Sequence, residues 1–226
     1  MVLKIGHRGA MGYKPENTLS SFKKAIELNV DMVELDVYVC ATGELVVIHD
    51  DKVDRTTNSR GHVSDKSFQE LRKLDAGKGE KIPSLSEVLD LIDRKVKVNI
   101  ELKGEKTAKP VFEVIEEYVK EKGWSYNDFL VSSFKHNELM DFIKLNREIK
   151  IGVLISGNPA GFAELAENVN AYSVNVSVKF VNKKFVQDAH KRGIKVFVWT
   201  VNDADDIDRM KKLNVDGIFS NFPDML

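Results

Sequence analysis

Four short polar clusters in the first half of the chain each follow or interrupt an apolar, β-branched run, and their residue types are suited to catalysis. They are His7-Arg8-Gly9, Glu34-Leu35-Asp36, His49-Asp50 and Glu101-Leu102-Lys103. Residues two apart on a strand point to the same face, so the two charges of the second cluster share one face, as do those of the fourth. Charges that face inward from apolar strands cost free energy unless something neutralises them. The pattern therefore predicts a bound cation.

The carboxylates of Glu34, Asp36 and Glu101 are the predicted metal ligands. Three carboxylates without cysteine or histidine suit Mg²⁺ or Ca²⁺, and ligand type alone does not separate these two ions. The alternative is a structural ion network in which the same carboxylates pair with Arg8 and Lys103. We favour the metal site, because buried ion clusters rarely stabilise a fold more than apolar replacements would.

Two histidines accompany the acidic residues. His7 and His49 suit general acid–base catalysis near neutral pH, and the sequence does not indicate which one takes the proton and which one gives it. Arg8 can hold phosphate oxygens through two parallel hydrogen bonds, and Lys103 can offset charge that builds in a transition state. Asp50 is expected to cap or orient rather than to react. Together these groups predict a metal site that cleaves a phosphate ester.

An alternation of strand and helix patterns must position these residues. Strands are predicted at 2–6, 31–38, 96–101, 129–133, 149–154, 171–175, 194–200 and 215–219, and helices at 17–29, 84–94, 108–122, 136–146, 159–168, 182–192 and 203–213. Eight strands with intervening helices in 226 residues predict an α/β fold, a (β/α)8 TIM barrel. Catalytic groups of such barrels collect at the C-terminal ends of the strands. All four clusters lie at or near such ends, so the fold is expected to bring them to one rim.

A stretch at about 50–95 exceeds an ordinary crossover between the second and third barrel strands. It follows a predicted hairpin at Gly43-Glu44 and contains a polar turn at 56–61 and short helices near 67–74 and 84–94. We interpret it as a small insertion over the barrel mouth. Residues 1–226 are therefore expected to form a single TIM-barrel domain.

Composition narrows the class of protein. The 34 basic and 35 acidic residues nearly cancel, so no overall field favours nucleic acid or an anionic membrane surface. Cys40 has no second cysteine to pair with, which favours a reducing compartment. The first residues are too short and interrupted for a signal peptide, and no apolar run approaches the roughly 20 residues of a membrane span. These features predict a soluble, cytoplasmic protein without a membrane anchor, and they leave its oligomeric state open.

The motifs together resemble the glycerophosphodiester phosphodiesterase family along essentially the whole chain. The resemblance is carried by His7-Arg8-Gly9, Pro15-Glu16-Asn17-Thr18, Val33-Glu34-Leu35-Asp36-Val37, Val47-Ile48-His49-Asp50, Asp54-Arg55-Thr56-Thr57, Ile82-Pro83-Ser84-Leu85, Asn99-Ile100-Glu101-Leu102-Lys103, Ser132-Ser133-Phe134, Val198-Trp199-Thr200-Val201-Asn202 and Asp216-Gly217-Ile218. It implies a TIM-barrel hydrolase that splits a small-molecule glycerophosphodiester into glycerol 3-phosphate and an alcohol, with one divalent cation, Mg²⁺ or Ca²⁺.

The resemblance also implies a role for each site residue. It makes His7 and His49 the acid–base pair, and Glu34, Asp36 and Glu101 the metal ligands. Arg8 and Lys103 become phosphate contacts, Trp199 a wall near the glycerol, and Glu16 a further contact near the metal or His7. A mechanism proposed for the family has the neighbouring glycerol hydroxyl attack phosphorus, which gives a cyclic phosphate that water then opens.

Two segments depart from the family pattern. Cys40-Ala41-Thr42-Gly43 stands where a Thr-Lys-Asp-Gly turn is more usual, and Ser220-Asn221-Phe222-Pro223 replaces a Thr-Asp-x-Pro ending. Neither is expected to touch the metal ligands.

Two aromatic residues give weaker signals. Phe134 is expected to pack inside the protein, and Trp199, taken alone, would fit the core as well as the pocket.

Two other functions remain open from the sequence. One is a barrel phospholipase or lyase that acts on lysophospholipid-type phosphodiesters, which would need an apolar mouth or an anchoring helix. The other is a non-catalytic phosphate-binding barrel, which would lack at least one metal ligand or acid–base residue, and none of these is missing. The leaving alcohol is not indicated by any motif.

Overall fold

The strands and helices follow the predicted alternation. The computed structural model describes residues 2–157, 161 and 163–226. Its strands are β1 (Leu3–Gly6), β2 (Met32–Val39), β3 (Leu45–Val47), β4 (Lys97–Leu102), β5 (Phe129–Ser133), β6 (Lys150–Ile155), β7 (Ser173–Ser177), β8 (Lys195–Trp199) and β9 (Gly217–Ser220). Its helices are α1 (Leu19–Glu27), α2 (Phe68–Lys73), α3 (Leu85–Ile92), α4 (Ala108–Glu121), α5 (His136–Leu145), α6 (Glu164–Asn168), α7 (Lys183–Lys191) and α8 (Ala204–Leu213). The predicted helix at 159–168 lies partly outside the described residues.

Parallel pairing closes the sheet into a barrel. Strands β1, β2, β4, β5, β6, β7, β8 and β9 pair in that order, and β9 pairs with β1 again. The third strand in sequence, β3, instead pairs antiparallel with the end of β2, as the hairpin prediction required. The described residues therefore form the predicted (β/α)8 barrel, and this fold prediction is confirmed.

Side-chain alternation along each strand separates two environments. On β2, Val33, Leu35 and Val37 face the helices and belong to the main apolar core. Between them, Glu34 and Asp36 face the interior of the barrel and are buried. The lower interior is filled by a smaller apolar cluster, made of Ile5, Met32, Leu130, Phe197 and Phe219. Because this cluster closes the barrel from below, the inward-facing charges gather above it at the C-terminal ends of the strands.

Polar side chains fix where several helices begin. Thr18 accepts a hydrogen bond from the backbone N–H of Ser21 and starts α1, and Asn182 caps α7 in the same way, close to where the predicted helices 17–29 and 182–192 begin. Ser84 and Glu87 form a reciprocal capping box at the start of α3. At the other end of α7, Gly193 adopts φ +74°, a left-handed backbone conformation that glycine adopts readily after a helix.

The chain between β3 and β4 has its own apolar cluster. Val53, Val63, Leu71 and Ile82 pack there, with residues from β2 and β3. By contrast, the buried side chains of α3 belong to the main core, so α3 lies in the helix layer of the barrel. Of the predicted insertion at about 50–95, the part before α3 is therefore the part that packs separately, beside the barrel mouth.

Candidate active site

The C-terminal ends of the strands surround one pocket. It is lined by His7, Arg8, Glu34, His49, Asn99, Glu101, Lys103, Phe134, Leu154, Trp199, Thr200 and Phe219. Seven of these were predicted site residues, and the other two predicted residues, Asp36 and Glu16, contact Arg8 directly. The structure thus brings all nine together.

The three predicted metal ligands meet at the bottom of this pocket. One carboxylate oxygen each from Glu34, Asp36 and Glu101 can be chosen such that all lie within 4.8 Å of one another, and all three residues are buried. Neighbouring strands produce this meeting, because Asp36 of β2 lies opposite Glu101 of β4 in the parallel register. Among the described residues, this is the cluster of acidic, histidine or cysteine side chains that could hold a metal ion.

The pKa values and contacts of the three carboxylates indicate that this cluster suits a cation. Burial and the charges of Asp36 and Glu101 raise the pKa of Glu34 well above its ordinary value, and burial and Asp36 raise the pKa of Glu101 to about 7. The Oδ1 atom of Asp36 is buried without a hydrogen-bond partner, and the ammonium of Lys103 is 3.8 Å away from it. Three repelling carboxylates with an unpartnered oxygen fit a hard divalent cation such as Mg²⁺ or Ca²⁺.

A tight turn after β1 aims Arg8 into the site. Arg8 has φ +49° and Gly9 has φ +82°, and a side chain at Gly9 would come within 2.6 Å of the backbone of Ser21. Glycine is therefore required at this position of the motif. The turn lets the backbone N–H of Arg8 donate to Glu34 (2.9 Å), while its guanidinium donates to Glu16 (2.7 Å).

His7 has an amide as its partner. Its Nδ1 lies 2.7 Å from Oδ1 of Asn221, which follows β9, and Asn202 holds Asn221 in turn by accepting its backbone N–H at 2.9 Å. Burial and the nearby charge of Arg8 lower the pKa of His7 to about 4. The departure from the family pattern at Asn221 thus spares the metal ligands, as expected, yet it contacts a predicted catalytic histidine.

His49 has a carboxylate as its partner. Its Nδ1 lies 2.5 Å from Oδ1 of Asp50, and its Nε2 lies 3.0 Å from the ammonium of Lys103. Burial lowers the pKa of His49, while its hydrogen bond to Asp50 acts in the opposite direction. Asp50 therefore orients His49, as the sequence predicted. Lys103 also contacts Glu101 at 3.1 Å, so it lies between the acidic cluster and the imidazole.

Aromatic side chains form the opposite wall. The indole N–H of Trp199 donates to the backbone carbonyl of Asn175 (3.1 Å), which fixes the ring in the pocket wall. Phe134 meets Trp199 edge to face, with centroids 5.5 Å apart. The expectation that Phe134 packs inside the protein was wrong: the residue is 39% exposed and lines the pocket, because it stands in the loop after β5 rather than in the strand.

Sequence reasoning missed several neighbours of the predicted residues. Asn17 donates to Asp36 at 2.9 Å, and Asn99 lines the pocket one inward position before Glu101. Arg55 donates to both Glu16 and Asp50. The alternation of β4 gave a usable signal for Asn99. Loop residues such as Arg55 carry no such periodic signal.

The described helices include none that is long and apolar enough to cross a lipid bilayer.

Comparisons with known proteins agree with the fold and the site. Residues 7–225 match the sequence model of the glycerophosphoryl diester phosphodiesterase family. A glycerophosphodiester phosphodiesterase of Caldanaerobacter subterraneus subsp. tengcongensis is 40% identical over 99% of this chain and 96% of its own length. A lysophospholipase D of Homo sapiens is a more distant relative, 25% identical over 98% of this chain and 84% of its own length.

A solved structure gives the same result in three dimensions. A phosphodiesterase of Oleispira antarctica, in complex with the product sn-glycerol-3-phosphate, superposes with a TM-score of 0.89. It is 30% identical, and the match covers 97% of this chain and 93% of that one. The chain therefore belongs to the glycerophosphoryl diester phosphodiesterase family, a family of phosphoric diester hydrolases, as its motifs had predicted.

Proposed function

We propose that this protein hydrolyses glycerophosphodiesters to glycerol 3-phosphate and an alcohol, with a divalent cation held by its three buried carboxylates. The observation that carries the proposal is the meeting of Glu34, Asp36 and Glu101 at a pocket that two differently partnered histidines also line. Two comparisons support the substrate class. A relative is named a glycerophosphodiester phosphodiesterase, and a similar phosphodiesterase holds sn-glycerol-3-phosphate as its product.

The acidic cluster is the proposed metal site. Its three ligands would each contribute oxygen, which suits both Mg²⁺ and Ca²⁺. When bound, the cation would neutralise charge on the phosphodiester and favour ionisation of the attacking hydroxyl. Arg8 donates its backbone N–H to Glu34 and lies 3.4 Å from Asp36, so it would keep two ligands in place while its guanidinium faces the phosphate.

The different partners of the two histidines suit different proton transfers. An amide oxygen at Nδ1 leaves His7 with its proton there and with a free lone pair on Nε2, the form that accepts a proton. A carboxylate at Nδ1 stabilises the doubly protonated form of His49, the form that gives a proton to a leaving group. Lys103 can only donate to Nε2, so its ammonium would have to turn from His49 to the phosphate before Nε2 carries that proton. His7 is therefore the proposed base and His49 the proposed acid. This assignment of base and acid rests on the partners at Nδ1, which are Asn221 for His7 and Asp50 for His49.

Two cations of the protein flank the reacting phosphate in this proposal. Lys103 contacts Glu101 and His49, so its ammonium lies where charge would grow on a phosphate oxygen. Arg8 offers a planar guanidinium suited to two oxygens at once. The neighbouring hydroxyl of the glycerol is the nucleophile that needs the least from the protein, because it is already tethered to the phosphate. Its attack would break the bond from phosphorus to the leaving alcohol and give a cyclic phosphate, which water would then open to glycerol 3-phosphate.

Glycerol and the leaving alcohol would contact the aromatic wall. Trp199 and Phe134 offer apolar surface in the pocket, and the centre of the Phe134 ring lies 5.9 Å from the ammonium of Lys103. A carbon backbone can lie against such rings while its phosphate reaches the charged groups beside them.

The exposed ring of Phe134 also suits a second candidate substrate, a lysophospholipid. An apolar group at the mouth would also suit a lysophospholipid, and one distant relative is named a lysophospholipase D. Turnover of glycerophosphocholine, compared with that of lysophosphatidylcholine, separates the two candidates. We expect the soluble diester to be the better substrate, since the glycerophosphodiester phosphodiesterase is 40% identical to this chain and the lysophospholipase D only 25%.

Removal of metal tests the proposal. Dialysis against a chelator is expected to abolish release of glycerol 3-phosphate from glycerophosphocholine, and added Mg²⁺ or Ca²⁺ is expected to restore it. Persistent turnover after thorough chelation would reject the metal role. Failure of the metal-loaded protein to cleave any glycerophosphodiester would reject the substrate class.

A further inference from the structure

Arg55 joins the two halves of the pocket without lining it. Its guanidinium donates to both oxygens of Glu16, each at 2.8 Å, and its Nε donates to Asp50 at 2.6 Å. Glu16 also accepts a hydrogen bond from the guanidinium of Arg8, and Asp50 is also hydrogen-bonded to Nδ1 of His49. Through these two carboxylates, Arg55 therefore connects Arg8, which would contact the phosphate, with His49, which would protonate the leaving alcohol.

The loop that carries Arg55 is anchored on both sides of it. Val53 is completely buried in the apolar cluster of the insertion, and its backbone N–H bonds to Gly61. Thr57 donates its backbone N–H and its hydroxyl to the carbonyl of Val53, which closes a turn around Arg55. Asp54 accepts the backbone N–H of Gly61 at 3.0 Å. The side chain of Arg55 is thus held over the two carboxylates by a packed loop.

Both carboxylates respond to this arginine. Although burial acts in the opposite direction, hydrogen bonds from Arg55 and the charge of Arg8 lower the pKa of Glu16 to about 2. Hydrogen bonds from Arg55 and His49 likewise outweigh burial and lower the pKa of Asp50 to about 2. The two acids raise the pKa of Arg55 in return. All three groups are therefore charged whenever the two histidines react.

We propose that Arg55 is a positioning residue that holds Asp50 against His49 and Glu16 against Arg8 at the same time. This role rests on the proposed function, since it acts through the acid–base and phosphate groups named there. Its geometry needs arginine, because three donors in one plane reach three carboxylate oxygens. Lysine keeps the charge but cannot span both carboxylates in this fork geometry.

The activity of variants at Arg55, compared with matched controls, tests the proposal. Arg55→Ala and Arg55→Lys are expected to lower kcat/KM for glycerophosphocholine by about 10- to 100-fold, the usual effect of removing a side chain that orients a reacting group. Arg60→Ala, an exposed arginine of the same loop, is the matched control and should keep the wild-type rate. In an Asp50→Asn background, Arg55→Ala should cost less than it does in the wild type, because one of its two connections is already lost. Wild-type activity in Arg55→Lys would overturn the argument from geometry.

A second readout does not depend on turnover. The Nδ1 proton of His49 lies in a short bond to a carboxylate and should give a strongly downfield proton NMR signal. We expect the signal in the wild type and in Arg60→Ala, and its loss in Arg55→Ala and in Asp50→Asn. An unchanged signal in Arg55→Ala would overturn the proposal even if the chain proved inactive on glycerophosphodiesters. An inactive wild type with the expected pattern of signals would reject the proposed function alone.

Discussion

The two walls of the pocket are built on different principles. On the side of β1, β2 and the insertion, each charged group touches another: Arg8 meets Glu16, and Glu16 meets Arg55. On the side of β5 and β8, Phe134 and Trp199 meet edge to face and present apolar surface to the same space. Charged groups must be held in fixed positions to act in catalysis, whereas an apolar wall tolerates volume-conserving changes. Under the proposed function, the chemistry would depend on the polar wall and the choice of alcohol on the aromatic one.

The histidines of the polar wall give the largest expected loss. His7→Ala and His49→Ala should each lower kcat by roughly 10² to 10⁴, the usual worth of general acid–base catalysis. His62→Ala, in the insertion and outside the pocket, serves as the control. Steady-state kinetics on glycerophosphocholine measures the effect. A near-wild-type rate in either pocket variant would remove that histidine from the mechanism.

A change of partner at His7 sharpens the same comparison. Asn221→Asp places a carboxylate at Nδ1 and should raise the pKa of His7 from its value of about 4. A base must be unprotonated to act, so activity at low pH should fall and the acid limb of the kcat/KM profile should move to higher pH. The exposed Asn127→Asp adds the same charge elsewhere and should leave the limb in place. An unmoved limb in Asn221→Asp would argue that His7 is not the base.

The aromatic wall should give the smallest and most selective effect. Phe134→Ala removes apolar surface that the substrate would contact, and a ring contact of about 0.5–1.5 kcal/mol with the substrate would correspond to a rise of roughly two- to tenfold in KM. The change should differ between substrates with small and large alcohols, while kcat stays close to wild type. Phe180→Ala, a similarly exposed ring that does not line the pocket, is the matched control. An equal loss in kcat for all alcohols would show that the aromatic wall acts in catalysis and not in the choice of alcohol.

Much of the polar wall could be predicted because strands repeat every two residues. Glu34 and Asp36 had to share a face, and parallel strands had to bring their ends to one rim, so the meeting with Glu101 followed from the pattern. The same reasoning placed His7 and Lys103. The starts of the helices predicted at 17–29 and 182–192 could also be placed to within a residue or two, since Thr18 and Asn182 act within one turn of their own helix.

Contacts that depend on closure of the barrel or on loop conformation could not be predicted in this way. Asn221 reaches His7 across 214 positions of sequence, because β9 pairs with β1. Its departure from the family pattern marked the residue, yet only the closed barrel shows what it touches. Arg55 and Phe134 stand in loops, where no periodicity tells which way a side chain points.

Binding of Mg²⁺, measured by isothermal titration calorimetry, tests the central claim most directly. The wild type is expected to bind one ion per chain, and Glu101→Gln is expected to lose it, while Glu105→Gln, at an exposed position nearby, keeps it. Affinity should also weaken as the pH falls from about 8 to about 6, because a proton on Glu101, whose pKa is about 7, must leave before the ion binds. Undiminished binding in Glu101→Gln, or no binding of Mg²⁺ or Ca²⁺ by the wild type, would contradict the account.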